Sequence, residues 1–353
     1  MKLVIFSPML TQPASDHRTR ILYTLLEGIA DRGHSLVFVQ PEGDNAVVLP
    51  FAEDFRYGIW NEARERIEME LADSSAYVVI SGFEAGTDAV EWLFDQTVPA
   101  RVFYDLDPWQ TLHGLDASGS SPWIRSDQIP YFDLVFSIAG GPAIEPYSAR
   151  YGAKEAVTLY ESIDTANFHP RSPEDDFSCD LALVADRYPA SEAVFENYLL
   201  VAARAVPSHR FIVFGEGWEG FDAWPDNVDL MPAGGALTRA AIYSSARIVL
   251  VPPGPHPIDY SLPYEVLEPA ACGAACAVID RPGLSEVFVP GVEIIVPESG
   301  ADLVPFLTHV GDEHLHDFAT NAEKRVLNDY VKLRQSTKFE QRVARKYYVG
   351  HNG

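Results

Sequence analysis

Short apolar runs alternate with longer amphipathic stretches along the whole chain. In the first half the runs are 3–6, 36–39, 77–80, 102–104, 134–138 and 157–160. Each has the near-continuous hydrophobicity of a strand buried on both faces. Between the first two, Ile21, Leu22, Leu25, Leu26 and Ile29 recur at helical spacing and form one buried stripe. Gly33 comes next, where a helix commonly ends in the left-handed conformation. A second series of runs covers 181–184, 211–214, 228–231, 248–251, 277–279 and 294–296, and residues 302–348 read as helical.

Strand, helix and parallel strand in repetition predict an α/β protein with parallel sheets covered on both faces. The polar, proline-bearing stretch 167–180 (NFHPRSPEDDFSCD) interrupts the rhythm and has the composition of an interdomain linker. The expectation is two Rossmann-like domains, 1–168 and 176–335. A terminal helix, 336–353, carries Lys338, Arg342, Arg345 and Lys346 and returns toward the first domain. In this architecture ligands gather at the carboxyl ends of the strands, in the cleft between the halves.

Length agrees with two domains, since 353 residues allow each its own core. Fifty-one acids against twenty-six bases leave a net charge of −25. Such a field repels phosphate backbones and anionic lipid, which argues against nucleic acid or a membrane as the main partner. No apolar run reaches the length of a membrane span, and no signal peptide is read at the start. Three cysteines, Cys179, Cys272 and Cys276, make no disulfide framework and suit a reduced cytoplasm.

Candidate chemistry sits just past the strands. His17 ends the long loop after the first strand and opens a helix, where the dipole favours the neutral imidazole that a general base needs. Asp105 and Asp107 stand after a buried strand as D-x-D. Two such acids can hold a divalent metal, or alternation can turn one outward while the other supports the loop. No third oxygen ligand is apparent, and no metal is assigned. Gly140 and Gly141 precede Pro142 at a first helical position, an arrangement that brings backbone N–H groups to an anion or is a plain turn. Gly215 and Glu216 repeat the strand-then-glycine theme without a complete dinucleotide or P-loop spacing. Arg187, after the first strand of the second half, is the basic candidate for an anionic ligand. Glu265 and Glu268 stand just ahead of the small-residue segment 270–277. They are either solvated or met there by donors, because carboxylates are rarely buried alone.

Several blocks in order resemble one family. The pattern LYTLLEGIADRGHSLVFV is similar to the opening helix and second strand of GT-B glycosyltransferases. The blocks DHRT, VFYDLDPWQTLHGL, FDLVFSIAGGPAI and LYESIDTANFHP resemble those of the CgeB-like, spore-maturation-type bacterial glycosyltransferases, and LEPAACGAACAV is similar to a segment shared by many GT-B enzymes. The resemblance implies a GT-B fold and metal-independent transfer of a sugar from a nucleotide-diphosphate donor, with no other cofactor. The donor would be held by the second domain and an unidentified acceptor (a saccharide, small molecule or protein) by the first. It also implies that Glu268 accepts from the donor ribose. Arg187, Gly215, Glu216, Tyr260 and Tyr264 would stand around the donor, and His17 would act as base, oriented by Asp105 or Asp107. Tyr260 stands where many relatives have a second glutamate, and Glu265 where CgeB-like proteins often have arginine. A non-catalytic nucleotide-sugar-binding or scaffolding protein on the same fold is the alternative, and an epimerase a third reading.

Overall fold

The computed structural model describes residues 1–11, 17–221, 224–232, 234–254 and 264–351. It divides into two compact units, Met1–Ser162 with Lys332–Gly353, and Ile163–Val331. The expected ends at 168 and 335 lie six and four residues later in the chain, and the expected start at 176 thirteen residues later.

The first unit is built on β1 (Lys2–Phe6), β2 (Ser35–Pro41), β3 (Glu53–Tyr57), β4 (Ala76–Ile80), β5 (Ala100–Asp105), β6 (Leu134–Ser137) and β7 (Ala156–Thr158). These form a seven-stranded sheet in the order β3-β2-β1-β4-β5-β6-β7, and its pairs are parallel. The chain runs outward from β1 to β3, then returns to the other side of β1 at β4. That reversal makes a switch point between β1 and β4. In the second unit β8 (Cys179–Val184), β9 (Phe211–Phe214), β10 (Val228–Met231), β11 (Ala246–Val251) and β12 (Ala275–Val278) form a parallel sheet in the order β10-β9-β8-β11-β12. Its switch point lies between β8 and β11. In open parallel sheets such points open a crevice at the carboxyl ends of the strands.

Five helices position or support the candidate residues: α1 (His17–Asp31), α2 (Pro108–Ser118), α3 (Ala236–Ser245), α4 (Tyr264–Ala271) and α5 (Lys332–His351). The stripe read from the sequence is the buried face of α1, and Leu22, Leu25, Leu26 and Ile29 share one core cluster with Leu3, Ile5 and Val78. Phe339 and Val343 of α5 complete that cluster, with Phe339 stacked on Phe136 at 5.2 Å. On the outer side of α5, Glu155 accepts from Arg342 and Arg345 and pairs with Lys346 at 2.9 Å. Arg342, Arg345 and Lys346 are thereby spent on holding the helix to the residue that precedes β7.

Two expectations are corrected, and one strand is added. Residues 53–57 (EDFRY) form β3, although they read as polar. At this edge β2 supplies the pairing, and burying Phe55 and Tyr57 is enough. Residues 294–296 are not a strand; they contribute isolated bridges, Ile295 to Ala277 and Ile294 to Pro290. The stretch 167–180 is no free linker. Phe168 is buried against Tyr243, the amides of Arg171 and Glu174 donate to Ser244 and Ser245, and Cys179 and Asp180 are already in β8.

Candidate functional site

In the first unit the candidate residues stand after β1 and β5. His17 is the first residue of α1, directly after the loop that leaves β1 at the switch point. Its side chain, like that of Tyr264 and the whole of Tyr260, lies outside the described residues.

The D-x-D pair splits because the strand ends at Asp105 and Asp107 is already the N-cap of α2; strand alternation would have kept residues two apart on one face. Asp105, the last residue of β5, is fully buried. It accepts a hydrogen bond of 2.6 Å from the Tyr147 hydroxyl and one of 2.9 Å from the Asp107 amide. Burial raises its pKa to about 6, against the opposing hydrogen bonds from Tyr147, Thr111 and the Asp107 backbone. Asp107 points the other way. It caps α2 by accepting from the Gln110 amide, and it pairs with Arg18 of α1 at 3.3 Å. Asp105 is therefore the internal prop of this loop. Asp107, through Arg18, is the carboxylate tied to the start of α1. Among the described residues no group of three His, Cys, Asp or Glu side chains is set to hold a metal ion.

The state of Asp105 has a measurable consequence. Its folded-state pKa lies above the ordinary carboxylate value, so the folded protein holds this proton more tightly than the unfolded chain. That stabilising contribution is complete below about pH 4 and is lost as pH rises through about 6. Asp105→Asn keeps the shape and cannot ionise. Its melting temperature should gain on that of the wild type between about pH 4 and 7, as parallel thermal melts across that range would record. A constant offset would show that Asp105 does not titrate there.

Gly140 and Gly141 stand in a tight turn. A Cβ on Gly140 would come within 1.9 Å of the Tyr160 hydroxyl, and Gly141 has φ +57°. The chain then makes a three-residue 3₁₀ turn, Gly141–Ala143, and a helix of five residues, Glu145–Ala149. Neither is long enough to present a strong dipole.

In the second unit the loops after β8, β9, β11 and β12 converge. The Tyr188 hydroxyl donates to the Pro253 carbonyl at 2.8 Å and ties the loop after β8 to the loop after β11, across the switch point. The Glu216 amide donates to Asp186, and the Arg187 amide to the Glu216 carbonyl, each at 2.9 Å, which clasps the loops after β8 and β9. Gly215 is required there, because a Cβ would lie 2.1 Å from the Ala185 carbonyl oxygen. Glu216 itself is exposed. Arg187 is held by Glu192 at 2.6 Å and lies over the Phe221 ring at 5.9 Å.

Glu268 is not a solvated glutamate. It is 2% exposed, and Arg239 of α3 grips it side-on, Nε to Oε2 and Nη2 to Oε1, each at 3.0 Å. The Tyr243 hydroxyl adds a longer contact at 3.4 Å, and the Arg239 guanidinium rests over Phe168 at 5.5 Å. The donors expected to meet this carboxylate are thus supplied by the chain. A carboxylate has about four lone-pair sites, so further hydrogen bonds remain possible.

Sequence reasoning missed Arg239, Tyr188 and Arg281. The last stands just beyond β12 and is 6% exposed. Burial pulls its pKa down to about 10, while Glu265, Tyr188 and Asp280 push it back up. A charged residue directly beyond a buried strand was the available signal. For Arg239, on a helix with ordinary amphipathic spacing, there was none.

The three cysteines are free and buried, and burial raises each thiol pKa, the environment of packing residues. No helix among the described residues is long and apolar enough to cross a membrane.

Comparison with known proteins places these features in a family context. Residues 192–340 match the family model described as glycosyl transferase-like. No curated protein matches the chain. Among solved structures, sucrose-phosphate synthase from Thermosynechococcus elongatus is similar over 99% of both chains at 13% identity, with a TM-score of 0.66. An alpha-glucosyltransferase in complex with UDP-glucose and DNA containing an abasic site is similar over 98% of this chain and 99% of its own, at 11% identity and a TM-score of 0.63. HepE of Anabaena, in complex with UDP and glucose, matches 98% of this chain and 100% of its own at 12% identity, again with a TM-score of 0.63. At such identities the likeness shows the fold, and that fold is GT-B.

Proposed function

We propose that the protein is a glycosyltransferase that moves a sugar from a nucleotide-diphosphate donor to an acceptor hydroxyl. The observation that carries this reading is the glycosyl transferase-like match of residues 192–340, which covers most of the unit whose switch point is bracketed by Tyr188 and Pro253. Structural neighbours in complex with UDP and UDP-glucose support a donor of this kind. The finer assignment to the CgeB-like family and to a hexosyl donor rests on the sequence blocks, and a cytoplasmic setting on the cysteine usage.

In this reading the second unit binds the donor through the loops after β8, β9, β11 and β12. The first unit presents the acceptor near the start of α1, where His17 takes the proton from the attacking hydroxyl. The anomeric centre passes through an oxocarbenium-like state while the diphosphate leaves. Fixed donors and cations, rather than a metal ion, stabilise that leaving group. Incubation with a panel of nucleotide sugars, beginning with UDP-glucose, should release nucleoside diphosphate slowly by hydrolysis and faster with a suitable acceptor. Release should persist in excess chelator. Activity that vanishes with chelator and returns only with magnesium or manganese would overturn the metal-independent form of the proposal.

A second reading is a nucleotide-sugar-binding protein without turnover. It is favoured by Glu268, whose two oxygens already serve Arg239. Saturable binding of a nucleotide sugar with neither hydrolysis nor transfer across the panel would select it.

A further inference from the structure

Two arginines of the second unit present the same edge of the guanidinium to a buried environment, and the two edges end differently. In Arg239 the Nε–H and Nη2–H groups, which point the same way, meet both oxygens of Glu268. In Arg281 the same two nitrogens are buried and have no hydrogen-bond partner among the described residues. The Arg281 amide is satisfied by its neighbour Asp280 at 2.9 Å, so the loop backbone is set while the side chain is left over. Glu265 and Tyr188 act on Arg281 through their fields.

A buried guanidinium without hydrogen bonds is costly, since a charge taken from water is normally compensated by pairing. Replacing such a group with an apolar one of similar size is often stabilising. Its position adds a direction. Arg281 stands just beyond β12, and it feels the field of Tyr188, whose hydroxyl links the loop after β8 to Pro253 after β11, at the strand ends that flank the switch point. The side-on fork of an arginine matches two oxygens of one phosphate in the way it matches a carboxylate. Arg187, the cation expected for this task, is held at the surface by Glu192.

We propose that Arg281 is the cation that receives the diphosphate of the bound ligand through its Nε–Nη2 edge, with Glu265 as the counter-charge that the phosphate outcompetes. The proposal rests on the nucleotide-donor reading above, but it concerns the phosphate group alone. The alternative is that Arg281 is a fixed internal counter-ion to Glu265 and Asp280.

Thermal melts and calorimetric titration with inorganic pyrophosphate, then with UDP, at one ionic strength separate the two. Wild type should be stabilised by both ligands. Arg281→Met should melt at or above the wild-type temperature without ligand and lose about ten- to a hundredfold in affinity for either. Arg281→Lys keeps the charge without the fork and should bind more weakly than wild type, which preserves the test if the Met variant fails to fold. Glu265→Gln should bind pyrophosphate more tightly than wild type. Pyrophosphate and UDP affinities unchanged in the Met and Lys variants would overturn the proposal while leaving the transferase reading intact. A lower melting point of Arg281→Met with no response of wild type to pyrophosphate would overturn it in favour of the internal counter-ion. Loss of pyrophosphate binding in Arg281→Met, in a protein that turns over no nucleotide sugar, would uphold Arg281 and remove the transferase.

Discussion

Arg239→Ala should destabilise the protein by about 3–5 kcal/mol, because it leaves the buried Glu268 carboxylate without its principal partner. Glu268→Ala should cost less, about 1–3 kcal/mol. The side chain of Arg239 is 23% exposed against 3% for Glu268, so the arginine can turn to water and the glutamate cannot. Replacing both, Arg239→Met with Glu268→Leu, should recover most of the loss, since neither charge is then buried alone. Denaturant melts of wild type, Arg239→Met, Glu268→Leu and the double variant give the coupling directly. Equal single-variant losses that simply add in the double variant would mean that the pair is not coupled. The same variants test ligand binding. If Glu268 also accepts from a ribose, folded Glu268→Ala should bind a nucleoside diphosphate about ten- to a hundredfold more weakly and bind pyrophosphate as wild type does. Unchanged nucleotide affinity would leave the carboxylate a purely internal prop.

His17→Ala should lower turnover by about 10²–10⁴-fold if this residue is the general base. Nucleotide affinity should stay near the wild-type value, because the base acts on the acceptor rather than on the donor. The readout is single-turnover transfer beside a binding isotherm for the nucleoside diphosphate. A fall confined to KM for the acceptor would make His17 a positioning residue. Turnover close to wild type would exclude the role, and Asp107, joined to α1 through Arg18, would be tested next. Asp105 is the weaker candidate, since its buried carboxyl is already held by Tyr147 and the Asp107 amide.

What could be read from residues alone was whatever depends on local periodicity. The strands β1, β2, β4, β5, β8, β9 and β11 were legible because both of their faces are buried and their runs are continuously apolar. β3 was not, because an edge strand needs apolar residues only where it touches the sheet. The glycines at 140 and 215 were noticed but assigned to ligands. At Gly215 the structure adds a reason of its own, the Ala185 carbonyl oxygen that arrives from elsewhere in the chain.

The sequence by itself determined the alternation of strands and helices, the parallel two-sheet architecture, the acidic surface and the strand-end positions of the candidate residues. These come from spacing and composition, which every residue carries with it. Only the tertiary structure decided which charges meet. Glu268 and Arg239 are separated by 29 positions, Arg18 and Asp107 by 89, and Asp105 and Tyr147 by 42. No periodicity links such positions, because a side-chain ion pair is specified by the packing of two elements and not by the pattern of either. The same reason hid Arg281. Its missing hydrogen bonds become visible only when the fold buries its side chain near Tyr188 and Glu265.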